Sequence, residues 1–135
     1  MKTNITNLLV VFLLLALTNI LNAQCTKEDI KVPSNFAFDT EIKKGPKTLI
    51  LETIGVKELR LSLYNSRGTK IFESSSSILA ASKEVEKMVD TGWDGTKLGE
   101  KLKVGFYIYT IEAECTDRST IYKTGQIVLS VTSEN

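Results

Sequence analysis

The sequence predicts an all-β fold, an antiparallel β-sandwich of about seven strands with a short helical insertion. Three observations carry that prediction. Short apolar segments recur at roughly 8–12-residue spacing between turn residues. The clearest of them alternate apolar and polar side chains with a period of two, the pattern of a strand with one buried face. No internal repeat is visible, and residues 24–135 suit one sandwich around one core.

The N-terminus is read separately. Lys2 precedes an apolar run from Leu8 to Leu21, broken only by Thr18 and Asn19, and Ala23 stands before Gln24. This is the layout of a secretory signal peptide over residues 1–23, with cleavage after Ala23. The apolar run is about 14 residues, short of the roughly 20 needed to cross a bilayer. A retained anchor and lipidation of Cys25 are the alternatives, the second disfavoured because Gln24 is not small.

Asp29–Phe38 reads as the first strand, with Pro33 marking an edge or a strand start. Gly45-Pro46 signals a turn, and Thr48–Thr53 is apolar and β-branched enough for a strand. Lys57–Asn65 alternates cleanly, with Leu59, Leu61 and Leu63 on one face and Arg60, Ser62 and Tyr64 on the other. Asn65-Ser66-Arg67-Gly68 follows as a hairpin turn into a return strand at Thr69–Ser74. The rhythm then breaks. Ile78, Ala81, Val85 and Met88 fall at helical spacing after a capping Ser77, which predicts a short helix or ordered loop behind a flexible serine run. A further strand is expected near Lys87–Gly92. In Gly105–Cys115, Tyr107, Tyr109, Ile111, Ala113 and Cys115 share one face. Phe106, Ile108, Thr110, Glu112 and Glu114 share the other, which meets water at its glutamate end. Thr116–Ser119 is a polar turn, and Thr120–Val131 closes the chain with a bulge at Gly125.

Charge and composition exclude several functions. The chain has 17 basic and 16 acidic residues, and loss of Lys2 with the leader leaves it formally neutral. A neutral chain has no large field for nucleic acid or an anionic membrane. The lysine clusters at 43, 44 and 47 and at 97, 101 and 103 sit among turn residues and read as solvated surface. There is no histidine, so Ser–His and Cys–His nucleophile systems are ruled out. Asp90 and Asp94 flank Trp93 as the nearest thing to a carboxylate pair, but Asp94-Gly95 is a turn dipeptide whose carboxylate suits backbone amides. The expectation is a non-enzymatic protein with no metal, cofactor or small-molecule substrate. Cys25 and Cys115 form an even pair, which in an exported chain means a disulfide or two free thiols. Alternating strand directions bring both to one end of the sandwich, as a disulfide requires. Trp93 reads as a core plug or a lid, with a glycan-stacking platform as the alternative.

Three segments then stand in order. Trp93-Asp94-Gly95 is followed by Gly99 and by Gly105-Phe106-Tyr107-Ile108-Tyr109. Upstream, Leu59–Ser74 forms strand–turn–strand with Asn65, Arg67, Gly68, Ile71 and Phe72. Downstream, Tyr122–Val131 forms a closing strand. Over about residues 32–131 these resemble the gliding motility-associated C-terminal domain, the type B sorting domain of the type IX secretion system, here without a passenger. The hook-capping Ig-like domain of flagella is similar around the tryptophan and tyrosines. The resemblance implies an Ig-like sandwich in the periplasm, on the outer-membrane surface or outside the cell. It implies a protein partner in the secretion machinery or the outer membrane, and a structural role for Trp93, Asp94, Gly95, Gly99, Gly105, Tyr107, Tyr109, Asn65, Arg67 and Gly68. The chain departs from the family pattern at Ala37–Lys47, at Lys103-Val104 and in the longer Ser75–Gly92 link. Two other classes stand beside this reading: an adhesive or glycan-binding sandwich, and a structural subunit of an envelope or gliding-motility complex.

Overall fold

A computed structural model describes residues 25–38, 47–78 and 85–131. The segment read as a signal peptide and the turn expected at Gly45-Pro46 lie outside the described residues. The strands are β1 (Ile30–Lys31), β2 (Asn35–Phe38), β3 (Ile50–Ile54), β4 (Val56–Tyr64), β5 (Lys70–Ser77), β6 (Glu86–Asp90), β7 (Thr96–Lys97), β8 (Glu100–Lys101), β9 (Gly105–Cys115) and β10 (Thr120–Val131). A five-stranded sheet runs β2-β10-β9-β4-β5, a three-stranded sheet runs β1-β3-β6, and β7-β8 is a separate hairpin. The chain is an all-β sandwich, with one parallel pairing, β2 on β10, among otherwise antiparallel ones.

The expected first strand divides between the two sheets. Ile30 and Lys31 pair with Thr53 and Glu52, whereas Asn35–Phe38 runs beside Val128–Val131. The break falls on Val32–Ser34. Pro33 has no N–H to offer a ladder, so the chain leaves one sheet there and joins the other. Ser34 resumes the bonding by accepting from the N–H of Val128 at 2.9 Å.

Period-two alternation sets the core. Leu59, Leu61 and Leu63 on β4 are buried, as are Tyr107, Tyr109, Ile111, Ala113 and Cys115 on β9. Ile127 and Leu129 from β10 join them, and Ile30, Leu51 and Val89 close over them from the smaller sheet. The expected strand near Lys87–Gly92 is β6, paired along its length with β3.

Two expectations are corrected. The helix predicted over Ile78–Val89 is replaced at both ends by strand, its middle (79–84) lying outside the described residues. Ser74–Ser77 is no flexible lead-in but pairs in register with Leu61, Arg60, Leu59 and Glu58. Val85 and Met88 are exposed while Val89 is buried, so the supposed helical face is split by the alternation of β6. The bulge expected at Gly125 is also absent. Its register continues unbroken opposite Tyr109, whose ring atoms CZ and CE1 lie 2.5 and 2.8 Å from where a Cβ would stand. Glycine is needed there because the tyrosine ring lies across the backbone, a cross-strand packing that any side chain would obstruct.

Cys25 and Cys115 are joined, with Cα atoms 5.8 Å apart and a sequence separation of 90. The bridge ties the segment before β1 to the end of β9, at the end of the sandwich expected from strand polarity. Closing so long a loop restricts the unfolded chain, a contribution of about 2–5 kcal/mol. Replacing both cysteines by serine is expected to lower the urea-unfolding free energy by that amount, and an unchanged midpoint would show the bridge to be energetically idle. Gly125→Ala is expected to cost about 1–3 kcal/mol through overpacking against Tyr109. The penalty should shrink in a Tyr109→Leu background, as a double-mutant cycle by thermal unfolding would read.

Candidate functional site

The residues singled out in the sequence fall into two local constructions at one end of the sandwich. The first surrounds Trp93. After β6 the chain stays beside the start of β3: Thr91 N–H donates to the Leu49 carbonyl at 3.0 Å, and Leu49 N–H donates to the Trp93 carbonyl at 2.8 Å. The buried Thr91 hydroxyl also donates to Leu49 O at 2.8 Å and accepts from Trp93 N–H at 3.3 Å. Trp93 is thereby driven inward and is 1% exposed. Its ring lies 5.3 Å from Phe36 on β2, 6.4 Å from Phe72 on β5 and 6.3 Å, edge-on, from Tyr107 on β9. The indole N–H is satisfied by Thr96 O at 3.2 Å, as a buried tryptophan requires.

The carboxylates beside it are occupied with the backbone. Asp90 accepts from Gly92 N–H at 2.9 Å. That bond, then one from Thr48, holds its carboxyl below the ordinary aspartate range. Asp94 accepts from both the N–H and the hydroxyl of Thr96, at 3.0 and 2.6 Å. These are Asx turns, in which each carboxylate accepts from a backbone N–H two residues on. Leu98 and Gly99 both take positive φ, 53° and 81°, the requirement of a tight two-residue hairpin turn between β7 and β8. Tyr107 then donates its hydroxyl to Lys103 O at 2.7 Å, fixing the connection into β9. Burial pushes the Tyr107 and Tyr109 phenols up, so neither ionises near neutral pH. Among the described residues, no group of three Cys, Asp or Glu side chains is placed to hold a metal.

The second construction is the β4–β5 turn. Asn65 N–H donates to Thr69 O at 3.0 Å, and Gly68 N–H donates to Asn65 O at 2.9 Å. The Asn65 side-chain oxygen accepts from the N–H groups of Arg67 and Thr69, at 3.0 and 2.9 Å. Gly68, with φ of 77°, supplies the left-handed residue. Asn65 and Gly68 are thus spent on the turn. The Arg67 side chain is not; it is exposed at the tip.

Between the two constructions runs a shallow groove of about 500 Å³, bounded by Asn65–Arg67 and Ile71 on one side and Lys101–Tyr107 on the other. Beside it the outer face of β9 carries apolar side chains in water. Phe106 is 67% exposed and Ile108 40% exposed, with Val104 at 61% just before the strand. The alternation had assigned Phe106 and Ile108 to that face but placed only its glutamate end in solvent. Sequence reasoning also missed the groove, because Lys101 and Lys103 read as ordinary turn surface. The available signal was the alternation Lys101, Leu102, Lys103, Val104, which puts charge and apolar surface on one short extended segment.

No protein-family model matches the chain, and no curated protein matches it. Among solved structures it is similar to CopC from Methylosinus trichosporium OB3b, with a TM-score of 0.48 and 13% identity over 79% of this chain and 94% of that one.

The enclosure of Trp93 yields a direct test of core against ligand roles. Trp93→Ala is expected to destabilise the fold by about 3–5 kcal/mol, the cost of emptying a large buried site. A variant that stays folded at wild-type stability but loses binding on a glycan array would reverse that assignment.

Proposed function

We propose that the chain is an exported, non-enzymatic protein-recognition module resembling the type B sorting domain of the type IX secretion system, bound by secretion or outer-membrane machinery. The observation that carries this reading is how the motif residues are used. Trp93, Asp94, Asn65, Gly68 and Tyr107 are consumed in packing and turn hydrogen bonds. The apolar side chains of Phe106, Val104 and Ile108 are left in water on the open face of the larger sheet. Exposed apolar surface of that kind belongs to interaction sites rather than to reaction centres. The leader sequence and the Cys25–Cys115 bridge support export to an oxidising compartment.

A structural subunit of an envelope complex would use the same open face in a static interface. The glycan-binding reading no longer has Trp93 as its platform and rests on exposed aromatics such as Tyr122, 62% exposed.

The test is a reporter carrying its own signal peptide, fused to residues 24–135 so that both sheets and the disulfide are present. In a host with the secretion system the fusion should reach the cell surface or medium, and in a host lacking it the fusion should stay in the periplasm. Equal distribution in the two hosts would overturn the sorting role.

A further inference from the structure

The groove between the β4–β5 turn and the Lys101–Phe106 connection has a one-sided charge. Arg67, Lys101 and Lys103 line it, with Leu102, Val104 and Phe106 supplying apolar surface, and no carboxylate is among its lining residues. The opposite end of the same sheet is mixed: the depression there is lined by Glu58, Glu112, Glu114 and Arg60, with Glu114 paired to Lys57 at 3.3 Å and Glu112 to Arg60 at 3.9 Å. Cross-strand register fixes the separation, since Tyr64 stands opposite Ile108 at the groove end and Glu58 opposite Glu114 at the other. In a formally neutral domain the one-sided charge is thus local to the groove.

The local geometry fits a peptide better than a point anion or a membrane. Arg67 is presented on a turn held by the Asn65 side chain, so its guanidinium starts from a fixed base. Guanidinium groups pair with carboxylates in a two-pronged geometry that a lysine cannot offer. Lys101 and Lys103 alternate with Leu102 and Val104 in the connection from β8 to β9, and among the described residues β8 has only β7 as a sheet neighbour. An extended segment laid alongside would place alternate side chains on charge and on apolar surface, as in strand-addition recognition. Three cations near an anionic bilayer supply only about 1 kcal/mol each, and a neutral chain adds no long-range attraction.

The geometry points to this groove as the docking site for an extended acidic segment of a partner protein, its carboxylates on Arg67 and Lys103 and an apolar side chain against Phe106 and Val104. This rests on the recognition-module reading and names the chemistry of the partner.

The experiment is an NMR titration of the disulfide-bonded chain 24–135 with a capped synthetic peptide alternating glutamate with leucine and phenylalanine. Saturable shifts confined to residues 65–69 and 101–107 are expected. The paired substitution Arg67→Glu, Lys103→Glu should weaken binding at least about tenfold, a loss of roughly 1.4 kcal/mol. The same peptide with lysine for glutamate should not bind. Trp93 fluorescence and the thermal midpoint report that the variant is folded. Shifts at the Glu58–Glu114 end, no saturation, or an affinity indifferent to the substitutions would overturn the site. Binding to phosphatidylglycerol vesicles without peptide binding would replace it with a membrane contact. In the reporter assay, export at the native level by the charge-reversed fusion sinks this groove alone, whereas peptide binding by a chain whose unsubstituted fusion is not exported sinks the sorting role alone.

Discussion

The two sheets of this sandwich are held in relation by one indole ring. Trp93 comes from no strand, yet its backbone extends the pairing of the smaller sheet through Leu49. Its ring meets Phe36, Phe72 and Tyr107, which belong to three strands of the larger sheet. A ring so placed sets the spacing between sheets at that end of the core, because close-packed interiors do not tolerate a change of volume without shifting their neighbours. Everything after Trp93 follows from that position. Asp94 turns the chain, the β7–β8 hairpin carries it out, and the Tyr107 hydroxyl brings it back at Lys103. The segment from Trp93 to Tyr107 is a corner of the chain.

That use of the motif residues decides where function is to be sought. A carboxylate accepting from an N–H and a hydroxyl two residues on is committed, and so is a tyrosine whose hydroxyl caps a backbone carbonyl. What remains exposed near the corner is Arg67 at its turn tip and an apolar strand face in water. The same fold element therefore separates two tasks by face. Inward side chains of β9 build the core, and outward ones at its start form surface that the core does not need.

Much of this was legible in the residues, and each failure has a physical cause. β4 and β9 were readable because each is buried on one face only, so the periodicity of the sheet is printed directly on the side chains. The disulfide was open to argument because strand direction alone places both cysteines at one end. The Ser75–Val89 region was misread because its strands lie at sheet edges, where burial is weakest. Ser74 faces inward opposite Leu61 with its hydroxyl buried and unpartnered, so a core position carries a polar residue. Met88, on an edge strand, is 67% exposed, so an apolar residue faces water. With both signs inverted, a chance helical spacing was all that remained. Gly125 was misread for a different reason: what it accommodates is a ring from the neighbouring strand, and no local pattern announces a partner that lies 16 positions away in sequence.

The groove escaped detection because net charge is a sum and recognition is local. A neutral chain predicts no steering toward nucleic acid or membrane, and that inference is sound for long-range fields. It says nothing about how the charges are sorted over a folded surface. Here β9 does the sorting. It enters the sheet beside Arg67, Lys101 and Lys103 and leaves it between Glu58 and the disulfide, having placed Glu112 and Glu114 on the way. One end of the domain therefore carries the disulfide and ion-paired glutamates, and the other an open groove of basic and apolar side chains. Local charge of this kind favours specificity and encounter rate more than raw affinity.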